Sequence, residues 1–238
     1  MPVYCITGAN RGLGLEFVRQ LAQSPSNVVL ALTRSLSSDL TDLKAAASAN
    51  THILECDVSD LLSIHHCSKE VALTLGATSK IDYLINNAGV NIASSQNSLN
   101  LGPDELMAQI KTNVLGPAKT VEFLLMAGVL AENARILNMS SGLGSIQSSL
   151  ASPKCTGYSI SKAALDMLTV HQSNDLKEKL PGVVVIAMDP GWVRTRLGGE
   201  GALLTTQESI EGVLKVLHSL KVEDNSKFYQ YNGEQVPW

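Results

Sequence analysis

Val3-Tyr4-Cys5-Ile6-Thr7-Gly8-Ala9-Asn10-Arg11-Gly12-Leu13-Gly14 begins as a short run suited to a buried strand, breaks on glycine, and passes into an amphipathic stretch. Such a sequence reads as strand, turn, helix. The alternation continues outward along the chain. Strand candidates lie at 3–7, 27–33, 51–56, 81–86, 134–140 and 182–188, with a weaker one near 226–230; helix candidates lie at 13–23, 60–75, 103–129, 158–179 and 206–220. Short apolar runs that alternate with longer amphipathic stretches predict an α/β protein, a doubly wound parallel sheet of about seven strands with helices on both faces. Pro117 is expected to kink or divide the 103–129 helix, because proline removes an amide donor and clashes with the preceding turn. Residues 141–157, rich in Ser and Gly, read as an irregular loop.

At 238 residues and 45% hydrophobic, the chain can bury one large core, and residues 1–238 are expected to form a single domain. A net charge of −4 without any basic cluster argues against nucleic acid or an anionic membrane surface and leaves a small-molecule ligand as the default partner. Cys5, Cys56, Cys67 and Cys155 lack CxxC spacing and read as reduced thiols in a cytosolic (cytoplasmic) protein. A strand that starts by Val3 leaves no room for a signal peptide, and no apolar run reaches the roughly 18 residues of a membrane span.

Glycines 8, 12 and 14 are spaced Gly-x-x-x-Gly-x-Gly, not Gly-x-Gly-x-x-Gly as in the usual dinucleotide fingerprint. A strand ending at Thr7 before this turn nevertheless aims backbone N–H groups and a helix N-terminus at one place. A pyrophosphate can sit there, among Gly8, Asn10, Arg11, Gly12, Leu13 and Gly14, as in a Rossmann fold. The competing reading is a tight strand-to-helix turn that binds nothing. The second strand ends in Arg34, where an NAD-specific fold places Asp or Glu against the ribose 2′-hydroxyl. A guanidinium suits a 2′-phosphate instead, and Arg11 supplies a second planar fork, so NADP(H) is favoured over NAD(H). Asp39 lies too far along to be the ribose contact.

Tyr158 and Lys162 lie four residues apart, on one face if the segment is helical. A neighbouring ammonium favours phenolate; bringing a tyrosine pKa from near 10 to about 7 requires roughly 4 kcal/mol of relative anion stabilisation. Other clusters read as structural. His65-His66-Cys67 are consecutive residues, which point about 100° apart on a helix and cannot converge on one ion, so no metal is expected. Asp104-Glu105 suit a helix N-terminus, His171 a surface or packing role, and Leu124, Leu125 and Met126 a core.

With the glycine turn, Asn86-Asn87-Ala88-Gly89, Asn113, Ser140-Ser141, Tyr158-x-x-x-Lys162 and Pro190-Gly191-Trp192-Val193 all in order, nearly the whole chain resembles a short-chain dehydrogenase/reductase. Pro190 to Gly199 and the tail from Gly233 to Trp238 resemble most the C-factor and sniffer type of carbonyl reductase within that family. The resemblance implies NADPH-linked reduction of a ketone or aldehyde. It makes Tyr158 the general acid, Lys162 the group that lowers its pKa and holds the nicotinamide ribose, Ser141 a donor to the substrate carbonyl, and Asn113 the holder of a relay water. Ser141 lies seventeen residues before Tyr158, whereas Ser145 has the family's usual spacing; Ser141 is preferred because Ile136 to Gly144 reproduces a strand ending in the family's double serine.

The same resemblance gives Asp57-Val58 to the adenine and Asn87-Ala88-Gly89 to the ribose side, with the paired asparagines also bracing the sheet. Pro190, Gly191, Val193 and Thr195 follow the sixth strand, Val193 and Thr195 holding the nicotinamide carboxamide. The rival expectation is a catalytically weak signalling or scaffold protein of the same fold, disfavoured by the intact Asn113, Ser141, Tyr158 and Lys162. A sugar epimerase or dehydratase fits poorly, since only Val193 to Trp238 remains to build a substrate domain. Leu197 to Thr206 is expected to act as a flap, and the helices at 103–129 and 158–179 as the surface of a homo-oligomer.

Overall fold

The structure is a computed structural model that describes residues 1–151 and 154–238. Its strands are β1 (Val3–Thr7), β2 (Val28–Thr33), β3 (Thr51–Glu55), β4 (Ile81–Asn86), β5 (Leu130–Met139), β6 (Val184–Asp189) and β7 (Lys227–Gln230). They form one sheet of order β3-β2-β1-β4-β5-β6-β7, every neighbouring pair parallel. The helices are α1 (Gly12–Leu21), α2 (Thr41–Ala46), α3 (Leu61–Leu75), α4 (Pro103–Ile110), α5 (Gly116–Met126), α6 (Ile146–Ser149), α7 (Thr156–Asp175) and α8 (Thr206–Ser219). This is the doubly wound Rossmann architecture expected from the alternation.

β1 shows why the residues from Val3 to Ile6 run without a polar break. Tyr4 and Ile6 pack with Phe17 of α1, Leu43 of α2 and Ile210 of α8, while Val3 and Cys5 face the other way, against Ile64 of α3 and Leu124 of α5. A strand covered on both faces needs an apolar residue at each position, not at alternate ones. Phe17 is fully buried, and a side chain of that size contributes about 1.5–3 kcal/mol through burial. Asn86 and Asn138 tie the layers together. Asn86 Nδ2 donates to Asn138 Oδ1 at 2.9 Å, and Asn138 Nδ2 donates to Thr169 Oγ1 and Gln172 Oε1, linking β4, β5 and α7.

Where the elements depart from expectation, the causes are local. β5 begins at Leu130 rather than 134, because Leu130 pairs with Ile81 across a register shift that precedes the Tyr83–Arg135 pairing. The polar Glu132 and Asn133 hide that extension in the sequence. The 103–129 segment divides as expected, but through a π-helical turn, Lys111–Leu115, between α4 and α5. Pro117 falls in the first turn of α5, where a missing N–H is tolerated. The segment read as irregular, 141–157, holds a 3₁₀ turn (Gly142–Gly144) and α6; residues 152 and 153 lie outside the described residues. α2 was also missed, being short and carrying one buried residue, Leu43.

Among the described residues, no group of His, Cys, Asp and Glu could hold a metal ion, and no helix is long and apolar enough to cross a membrane. His65 instead stacks on Phe123 at 5.2 Å. All four cysteines are unbridged, Cys5, Cys56 and Cys67 being buried. The strand order reverses between β1 and β4, and ligands of open α/β sheets bind at the carboxyl ends of strands at such a point.

Candidate active site

The end of β1 is laced to the end of β4. Asn87 and Ala88 each donate a backbone N–H to Thr7 Oγ1 at 3.0 Å, and Asn87 Nδ2 donates to Thr7 O at 2.9 Å and Gly8 O at 3.3 Å. Bare glycine is required in this space. Gly8 has φ +67°, and a Cβ on Gly14 would lie 2.1 Å from Gly8 O. Among the described residues no side chain caps α1, so the N–H groups of its first turn are presented to the cradle.

Arg11 and Arg34 are both exposed at the rim of this cradle. A third guanidinium, which sequence reasoning passed over, joins them. The Thr195 methyl, one residue before Arg196, lies 3.5 Å from the position of a Cβ on Gly12, one residue after Arg11. Burial and then the charges of Arg196 and Arg34 lower the Arg11 pKa. None of the three forms an ion pair among the described residues. Only the doublet Arg194-Thr195-Arg196 could have signalled this in the sequence. Asp39 Oδ1 accepts from Thr41 N at 2.9 Å, just before α2. Asp57 Oδ1 is occupied by the amide and hydroxyl of Ser59, at 2.9 and 2.7 Å, so much of that carboxylate serves its own turn. Val58 is buried beside Gly116.

Tyr158 and Lys162 share the buried face of α7, the ammonium 5.5 Å from the centre of the phenol ring. Lys162 Nζ donates to Met139 O at 2.6 Å and faces Gly89, where a Cβ would lie 3.6 Å away. The Ser141 hydroxyl accepts from Leu143 N at 3.2 Å and lies close enough to the phenol to favour phenolate. The net effect on Tyr158 is nevertheless the reverse of the lowering expected from the sequence. Burial, and then the charges of Asp189 and Cys155, push the phenol well above its ordinary value. Burial also lowers Lys162 to about 8, so the ammonium that was to help is itself weakened.

Ser145, the alternative serine, is fully buried and caps α6, its Oγ accepting from Ser148 N at 3.1 Å and donating to Ser148 Oγ at 2.9 Å. Asn113 lies in the π-turn with its side chain fully engaged. Nδ2 donates to Val90 O and Ser161 Oγ, both at 2.9 Å, and Oδ1 accepts from Val90 N at 2.8 Å.

The sequence model described as short chain dehydrogenase matches residues 2–202. The chain belongs to the short-chain dehydrogenase family. Among solved structures, carbonyl reductase from chicken fatty liver, bound to NADPH, is 32% identical and superposes with a TM-score of 0.91 over the whole of both chains. Carbonyl reductase Sniffer of Drosophila melanogaster is 28% identical with a TM-score of 0.89, again over both whole chains. The C-signal protein of Myxococcus xanthus is 34% identical over 164 residues, 68% of this chain and 95% of that one.

In this short-chain dehydrogenase the loop after β6 closes the other side of the site. Asp189 Oδ1 accepts from Gly191 N at 3.0 Å, Ser209 Oγ donates to Pro190 O at 2.7 Å, and buried Val193 pairs with Leu204. Thr195 Oγ1 accepts from Gly198 N at 3.0 Å. The expected flap is tethered: Trp192 Nε1 donates to Gly198 O at 2.7 Å, and Leu203 N and Leu204 N both donate to Trp192 O at 3.1 Å. Leu197 and Leu203 stay exposed on it, and Trp192 beside it.

Proposed function

We propose that this protein is an NADP(H)-dependent carbonyl reductase whose cofactor and substrate sites lie in one domain. The observation that carries the reading is the convergence of Tyr158 and Lys162 with the Ser141 hydroxyl beside the glycine cradle. When bound, the nicotinamide supplies the hydride. The chain's own groups do the rest. Tyr158 delivers a proton to the carbonyl oxygen, and burial, by keeping the phenol protonated, holds it in the form that reduction needs. Ser141 donates to the same oxygen as charge develops there. Lys162 supplies a cation beside the phenol and holds the ribose. Relay water is assigned to the main chain around Asn113, since its side chain is engaged and a π-turn disturbs the carbonyl ladder.

The cradle fits the cofactor on its own terms. Gly8, Asn10, Arg11, Gly12, Leu13 and Gly14 receive the pyrophosphate, and Arg11, Arg34 and Arg196 gather positive charge for the 2′-phosphate. Asp57 and Val58 contact the adenine; Asn87, Ala88 and Gly89 bring bare backbone to the ribose; Pro190, Gly191, Val193 and Thr195 hold the carboxamide. Exposed Trp192, Leu197 and Leu203 favour an uncharged, apolar carbonyl compound. Met107, Ile160 and Met167, exposed on α4 and α7, are the proposed contacts of a homo-oligomer, which sedimentation would reveal.

Likeness to C-signal favours one other reading, a signalling protein that binds nucleotide and does little chemistry. The experiment that separates them follows NADPH absorbance across a panel of ketones and aldehydes. Consumption with an apolar carbonyl is expected; tight NADPH binding without turnover of any substrate would select the signalling reading.

A further inference from the structure

Asp166 takes no part in the chemistry described so far. It lies one helical turn beyond Lys162 on the buried face of α7, 4% exposed, and neither carboxylate oxygen has a hydrogen-bond partner among the described residues. Burying an unpartnered carboxylate is costly, so its presence calls for a reason. The bare backbone of the 3₁₀ turn covers it: a Cβ on Gly144 would lie 2.6 Å from Asp166 Oδ2 and 3.0 Å from Lys162 Cβ. The Ser140 hydroxyl, also buried and without a partner among the described residues, is close enough to favour the ionised carboxylate but falls outside hydrogen-bond geometry.

Lys162 has the complementary need. Its enclosed ammonium donates to Met139 O, an uncharged acceptor, and it forms no ion pair among the described residues. The groups around it are few. Asn113 of the π-turn and Gly89 after β4 face it without charge; Tyr158 and Cys155 lie on its own helix side; Asp189, at the end of β6, acts on Tyr158 and Asp166. We propose that Asp166 is a positioning residue, the counter-charge that keeps Lys162 an ammonium and holds its head between Met139 O and the phenol. Electrostatics agree in both directions. Burial lowers Lys162 to about 8 and Asp166 is the charge that raises it; burial lifts Asp166 to about 7, against the pull of Ser140 and Lys162, with Asp189 adding to the rise.

The kinetic consequence rests on the carbonyl-reductase reading, but the charge relation can be read without any substrate. In the full chain labelled with ¹³Cε-lysine, Lys162 is the resonance absent from Lys162→Arg. Wild type is expected to titrate it below the other lysines, with a second inflection as Asp166 ionises. In Asp166→Asn that inflection should vanish and the midpoint fall by about one pH unit. An unmoved midpoint overturns the proposal. So does a wild-type curve lacking the second inflection, which keeps the test decisive if Asp166→Asn does not fold. In kinetics, the alkaline limb of NADPH-dependent reduction should move to lower pH by the same amount. A fall equal at every pH would instead mark a purely structural carboxylate and overturn the proposal. If wild type reduces no carbonyl, the functional reading fails while the resonance titration still decides the role of Asp166.

Discussion

The glycine turn and the Tyr158 pocket lie at the same end of the sheet and are built in opposite ways. The turn is made of backbone: glycine makes the space, the Thr7 and Asn87 bonds fix its walls, and its charged side chains stand in solvent at the rim. The pocket is made of enclosed side chains, among which Asp166 and Ser140 lack partners among the described residues and Lys162 and Tyr158 are driven toward their neutral forms. Shape can be held at low cost by satisfied hydrogen bonds, whereas poised proton chemistry needs groups that stability alone would not retain.

If that division is right, substitutions should fall cleanly on one side of it. The largest expected effect is Tyr158→Phe, a loss of about 10²–10⁴-fold in carbonyl reduction with NADPH affinity unchanged by fluorescence titration; a parallel loss of affinity would erase the boundary. Next is Ser141→Ala, expected to lose about 3–4 kcal/mol of transition-state stabilisation in single-turnover reduction. Ser145→Ala should instead cost about 1 kcal/mol of stability, as a lost helix cap, and leave the chemistry nearly intact. Equal kinetic losses in the two serines would overturn the choice of Ser141.

On the cradle side, Arg34→Asp should weaken NADPH about ten- to a hundred-fold, the range of one charge-assisted contact, and leave NADH less affected. Arg196→Ala should show the same asymmetry more weakly, and equal wild-type affinity for both nucleotides would remove its basis. The smallest effect sharpens the contrast through pH. Asp166 has its folded pKa raised to about 7, so between the unfolded value and 7 the folded state holds the extra proton and stability falls as pH rises. The melting temperature of Asp166→Asn, relative to wild type, should therefore climb from pH 5 to pH 8, by about 2–4 °C for each net 1 kcal/mol.

The division also explains what could be read from the sequence. Strand positions came from apolar runs, and the cradle from glycine spacing, because both are local constraints on backbone. Tyr158, Lys162 and Ser141 were singled out by spacing and by the double serine, and the structure brings the three together. Their electrostatics were not legible, since burial and the approach of Asp189 depend on how β6 meets the loop after β5. Arg196 and Asp166 were missed for the same reason. The charge of one acts on Arg11 once Thr195 packs on Gly12, and the other matters only once Gly144 has covered it.

The π-turn at Lys111–Leu115 works as a phase slip. An added residue moves every later side chain about 100° around a helix axis, so α4 and α5, continuous in sequence, need not present the same stripe to the same neighbour. α4 packs on α7, beside Tyr158, while α5 turns Val121 and Leu124 into the core it shares with α3. Deleting one residue within 111–115 would bring the two halves into register, and one of these partners would then face the wrong side of the helix.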